Sequence, residues 1–236
     1  MRKHKAKLGV IIPSCNTVLE PEFYQMIHGH DLSVHITRIK MTEDTMKQIE
    51  NLIKEVPKAA SLLKDADVDI IAFGCTAGSF IKGIDYDKEI TSLIEKKTCI
   101  PATTASTSVV KALKELSLSK ISIVTPYEPW LNERLVNFLA DNGVEVVAIK
   151  GLGIRKDISK IPSNRILNLI KEVDTQESCG FFISCTDLRS AELIDVIEQK
   201  FKKTVVTSNQ ALLWNMLHTL DLKAKINGYG KLMQFT

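Results

Sequence analysis

Cysteine is sparse in this chain and never closely paired. The five residues stand at positions 15, 75, 99, 179 and 185, with no Cys-x-x-Cys spacing, and the five histidines do not gather with them. That excludes the usual structural zinc motifs. An excess of one charge is also missing: 31 basic against 28 acidic residues leave a net +3, with the basic residues scattered, which gives no footing for nucleic acid. No apolar run approaches the roughly 18 residues of a membrane span. The basic start is followed by only five apolar residues before Pro13, too short a core for a signal peptide, so the expected compartment is the cytoplasm and the thiols are expected to stay reduced. There is no Gly-x-Gly-x-x-Gly after a strand, no phosphate loop ending in Lys-Ser/Thr, and no Gly-x-Ser-x-Gly elbow. The lysines fall in helical, solvated contexts and offer no obvious anchor for a Schiff-base cofactor. What remains is chemistry without a cofactor or metal, acting on a small acid.

What is present is an ordinary globular composition, 44% hydrophobic and 25% charged over 236 residues. Short β-branched runs alternate with longer amphipathic stretches: strands at 9–12, 34–39 and 69–73, and helices at 20–27 and 43–63, the second with Pro57 as an expected kink or break. Such alternation predicts an α/β fold with parallel sheets. The second half repeats the plan. Residues 121–126 answer 10–13, residues 180–186 answer 70–76, and residues 205–211 answer 100–106. The offsets are similar: 113 from Pro13 to Pro126, 110 from Cys75 to Cys185, and 105 from Ala105 to Gln210. The expectation is two pseudo-symmetric lobes, 1–117 and 118–236, each a parallel sheet flanked by helices. The last helix, about 209–222, is expected to pack back on the first lobe.

Ligands of open parallel sheets bind beyond the carboxyl ends of the strands. Here six such ends are rich in small hydroxyl and amide side chains: 13–17, 74–79, 102–104, 125–127, 184–187 and 207–209. Each segment taken alone suits helix capping. Together they suit a carboxylate, met by backbone N–H groups and short O–H donors. Cys75 and Cys185 hold matching places, each expected at a strand-to-helix junction whose positive end lowers the thiol pKa. Two such thiols facing across an interlobe cleft can serve as acid and base, or as nucleophile and acid. Cys99 and Cys179 read as structural; Cys15, in a strand-end loop, either lines the pocket or packs, with packing favoured.

The opening Leu8-Gly-Val-Ile-Ile-Pro-Ser-Cys-Asn-Thr-Val-Leu-Glu-Pro-Glu22, together with the segments 74–80, 124–127, 183–187 and 208–214, resembles the maleate cis-trans isomerases and arylmalonate decarboxylases of the aspartate/glutamate racemase superfamily. The resemblance runs from about Leu8 to Leu220. It implies an active site between two α/β lobes and a homodimer. It further implies that Cys75 adds to the double bond of maleate to give a succinyl-cysteine, with Cys185 as the acid/base partner. Asn16 would hold a substrate carboxylate, Tyr127 would donate a hydrogen bond to it, Asn164 would be the second-lobe asparagine, and Pro13, Ser14, Thr76 and Thr186 would line the pocket. Arylmalonate decarboxylases usually keep only the second-lobe cysteine, so Cys75 favours isomerisation. Two rivals stay open: an aspartate/glutamate-type racemase using both cysteines as opposed bases, with Asp187 or Glu128 holding the ammonium, and a non-catalytic protein that clamps a small acid.

Overall fold

The computed structural model describes residues 6–234. Its first half runs β1 (Ala6–Pro13), α1 (Leu19–Met26), β2 (Leu32–Ile39), α2 (Met46–Asp65), β3 (Ile70–Phe73), α3 (Thr76–Phe80), α4 (Tyr86–Thr98), β4 (Ala102–Thr104) and α5 (Ala105–Glu115). The second runs β5 (Lys120–Thr125), α6 (Pro129–Asp141), β6 (Glu145–Gly151), α7 (Ser163–Val173), β7 (Gly180–Ile183), α8 (Ile194–Phe201), β8 (Thr204–Thr207) and α9 (Ser208–Thr219).

The strands form two four-stranded parallel sheets in the orders β2-β1-β3-β4 and β6-β5-β7-β8. Each second-half strand therefore holds the place of its first-half counterpart, and the sequence repeat is a structural repeat. Val10 lies in register with Ile36 and Ala72, and Ile123 with Ile149 and Phe182. Helices cover both sheets, which is why the central strands are apolar throughout: every residue of β3 and β7 is buried.

Pro57 does not break its helix. Helix α2 runs through it, because Ile49, Leu52, Ile53 and Val56 before it and Ala59, Ala60 and Leu63 after it bury one continuous face. That burial outweighs the backbone hydrogen bond lost at proline. Strand β6, which the sequence reading does not mark, is half-buried and supplies the second sheet's edge. Cys99 and Cys179 are exposed and not packed as expected. Cys99 caps α4 with a positive φ of 60°, and Cys179 is held only by its backbone N–H, donated to the Lys120 carbonyl.

Helix α9 is buried from Ser208 through Leu217 around its whole circumference. It leaves β8 and lies against α5 of the first half, where Asn215 Nδ2 donates to Thr103 Oγ1 at 2.7 Å and Ser108 Oγ at 3.0 Å. A helix apolar on all sides must be enclosed, and the space between the halves encloses it.

Candidate active site

A cavity of about 180 Å³ lies where the two sheets' carboxyl ends meet. Its floor is built from strand ends: Pro13, Cys15 and Asn16 after β1, Cys75, Thr76 and Ala77 after β3, Tyr127 after β5, and Cys185, Thr186 and Asp187 after β7. Its cover comes from two loops, Met41 to Asp44 after β2 and Arg155 to Ser159 after β6. A larger groove of about 650 Å³ on the first half carries Arg38, Lys40, Lys54 and Lys58, but it is open surface and holds none of the cysteines.

Of the residues expected from sequence, Pro13, Asn16, Cys75, Thr76, Tyr127, Cys185 and Thr186 come together here, and Ser14 and Asn164 do not. Ser14 Oγ instead bridges the Met41 backbone, donating to its carbonyl and accepting from its N–H. Asn164 is exposed on the first turn of α7. Two strand ends read as carboxylate sites are helix caps: Thr104 and Thr207 accept from the N–H groups of Thr107 and Gln210. Cys15, expected to pack, is exposed and lines the cavity.

The polar groups are fixed by bonds that cross between the halves. Asn16 Oδ1 accepts from the Val18 and Leu19 N–H groups, capping α1 and setting the amide's orientation. Its Nδ2 donates to Thr186 Oγ1 at 3.1 Å, leaving a second N–H for a ligand. Thr186 Oγ1 in turn donates to the Gly74 carbonyl. Ser208 Oγ accepts both from Thr76 Oγ1 at 3.0 Å and from the Cys185 N–H at 3.1 Å, so one hydroxyl ties the two cysteine loops together. Tyr127 is 1% exposed and accepts from Ser184 Oγ, which leaves its own O–H free to donate; burial pushes its pKa well up and keeps that proton on.

Cys75 Sγ receives the Gly78 N–H at 3.3 Å. Gly78 leaves room there, since a Cβ would stand a tight 3.0 Å from the Phe73 ring and 3.1 Å from Cys75 Sγ. Cys185 has a φ of +103°, a rare conformation outside glycine that turns its side chain into the cavity. Neither thiol is acidified, contrary to expectation. Burial pushes both pKa values up, and Asp44 adds to the effect. The helix expected to lower them is too little: α3 has only five residues, and Cys185 leads into a turn, with α8 starting at Ile194. Cys15 rises to about 11 for the same reason, burial first and Asp187 next.

Sequence reasoning missed the two covering loops. They bring the acidic side chains Glu43, Asp44 and Asp157 and the cations Arg155 and Lys156 to a cavity whose expected lining was small hydroxyl and amide side chains. The rule that found the other strand ends would have found these had β2 and β6 been followed to theirs. Asp187 accepts from the Thr17 N–H at 2.8 Å; burial still lifts it to about 6. Glu128 accepts from Trp130 and pairs with Arg155 outside the cavity wall. Of the two expected ammonium partners, Glu128 lies outside the cavity and Asp187 lines it.

The family model of arylmalonate decarboxylases matches residues 8–233. A maleate isomerase of Pseudomonas putida is 26% identical over 96% of each chain, and an arylmalonate decarboxylase of Bordetella bronchiseptica 24% identical over 95% of each. Among solved structures, a cysteine-to-serine variant of the Nocardia farcinica maleate cis-trans isomerase superposes with a TM-score of 0.95 at 20% identity, covering 98% of this chain and 99% of that one.

Proposed function

The chain belongs to the arylmalonate decarboxylase family, and from that membership we propose that it catalyses the cofactor-independent cis-trans isomerisation of a small dicarboxylic acid, maleate to fumarate. The observation that carries the reading is the pair of buried thiols, Cys75 and Cys185, in the wall of one cavity with hydrogen-bond donors beside them. The N. farcinica relative carries a covalently bound succinylcysteine in its cysteine-to-serine variant, and a P. putida relative with a cysteine-to-alanine change holds maleate. Both support a two-cysteine scheme.

In that scheme one substrate carboxylate takes the free N–H of Asn16 and the O–H of Tyr127. Cys75 Sγ releases its proton to solvent as the substrate binds, adds to one alkene carbon, and takes a proton back from solvent when the product leaves. The displaced electron pair on the neighbouring carbon takes the Cys185 proton, giving a succinyl thioether and a Cys185 thiolate. Rotation about the new single bond follows. Cys185 then removes a proton from that carbon, the double bond re-forms trans, and the C–S pair returns to Cys75. Because both thiols rest protonated, substrate binding must accompany the first deprotonation.

Proton NMR of enzyme with maleate is expected to show fumarate, and Cys75→Ser is expected to lower the rate by roughly 10³-fold or more. Absence of conversion by wild type would remove the maleate assignment. A racemase would instead exchange the α-proton of aspartate in heavy water, which this scheme does not.

A further inference from the structure

One carboxyl in the cavity wall has no task in the scheme above. We propose that Asp44 is a substrate-binding residue of this site, neutral in the complex and donating its own O–H to a carboxylate of the bound acid. The inference rests on the dicarboxylate reading and names how its second charge is met.

Asp44 sits on the loop after β2, 9% exposed, with its carboxyl among the groups that line the cavity. Its Oδ2 is buried and has no hydrogen-bond partner among the described residues. The neighbouring charges have partners elsewhere: Glu43 with Lys156, Arg155 with Glu128, and Asp187 with the Thr17 N–H. The single bond at this residue is from its backbone, whose N–H donates to the Arg155 carbonyl. A buried carboxyl left this way needs a partner.

The groups that share the cavity decide what that partner is. The thiols of Cys15, Cys75 and Cys185 and the phenol of Tyr127 are held neutral, Asp187 adds negative charge, and Arg155 and Lys156 are already paired with carboxylates. Asp157 completes the wall. A dianion brought into that space cannot sit beside an ionised Asp44 without repulsion, so the shared proton stays between them, as it does between two close carboxyls. The proton is at hand, because burial, and then Asp187, hold this carboxyl up to about 7 in the free protein. An ammonium-bearing ligand would want the opposite, the anion.

The two cases differ in the sign of a pH dependence. Succinate, which has no double bond to react, is titrated calorimetrically into the whole chain from about pH 6 to 9, in buffers of different ionisation enthalpy. Binding is expected to take up protons and to weaken about tenfold per pH unit above about 7. D44N, whose amide donates without titrating, is expected to bind with no such slope. D187N is expected to keep it. A flat wild-type profile, a slope surviving in D44N, or L-aspartate binding tighter as pH rises would overturn the proposal. Should D44N not fold, wild-type proton uptake decides alone. Maleate turnover without the slope overturns this inference and leaves the isomerase reading; the slope without turnover does the reverse.

Discussion

Single side chains carry most of the chemistry, and some were legible from sequence. Cys75 and Cys185 stand out because matched strand ends repeat the same Cys-Thr pair, and Asn16, Thr76, Tyr127 and Thr186 join them in one cavity. Their acidity was not legible. It depends on how completely the fold removes water, and burial here opposes the thiolate. Alkylation should reflect that: with iodoacetamide, peptide mapping is expected to find Cys99 and Cys179 modified first and Cys75 and Cys185 last in the free protein, their solvent access being the difference. Asp44 sets a second residue-scale expectation. Its unfolded carboxyl ionises near the ordinary 3.8 while the folded one keeps its proton to about 7, so the folded chain binds more protons between those values and this group's contribution to stability falls as pH rises. Thermal melts from about pH 4 to 7 are expected to show D44N gaining on wild type, with Asp187 contributing the same fall to both. Ser208→Ala, which strips an acceptor from Thr76 and the Cys185 N–H, is expected to cost about 1–3 kcal/mol and to slow turnover by loosening both cysteine loops.

At the scale of the element, period and composition gave the buried strands and the long helices, and failed where tertiary packing overrode a local rule. Pro57 is one instance: the apolar stripe of α2 continues on both sides of it. Pro57→Ala restores an N–H to that ladder and is expected to raise stability by about 2 kcal/mol, the helix gain of roughly 3 less the lost stiffness of the unfolded chain. Calorimetric or dichroism melts measure it. Strand β6 escaped because its half-buried residues alternate weakly, and with it went the loop that brings Arg155 and Lys156 over the cavity. Ser14 and Asn164 fell to the opposite error. Polar residues near a strand end or a helix start read as ligand groups, yet one is taken up by the Met41 backbone and the other faces out.

The whole molecule is two copies of one plan held together by polar atoms as well as by helix α9. Glu22 of the first half accepts from the Ser190 and Ala191 N–H groups and from Asn209 Nδ2, a buried carboxylate fixing the turn that follows Cys185. The floor of the cavity is therefore rigid across the join. The two covering loops touch each other through fewer polar contacts. The loop from β2 and the loop from β6 meet through one backbone bond, Asp44 N–H to the Arg155 carbonyl at 3.1 Å, and one ion pair, Lys156 to Glu43 at 3.4 Å. Lys156 is 62% exposed, and a pair so wet contributes about 0–1 kcal/mol and fades with salt. That ion pair is the salt-sensitive part of the clasp, and ionic strength becomes a handle on traffic through it: added salt is expected to quicken both capture and escape, changing steady-state turnover where passage limits it and leaving single-turnover chemistry alone.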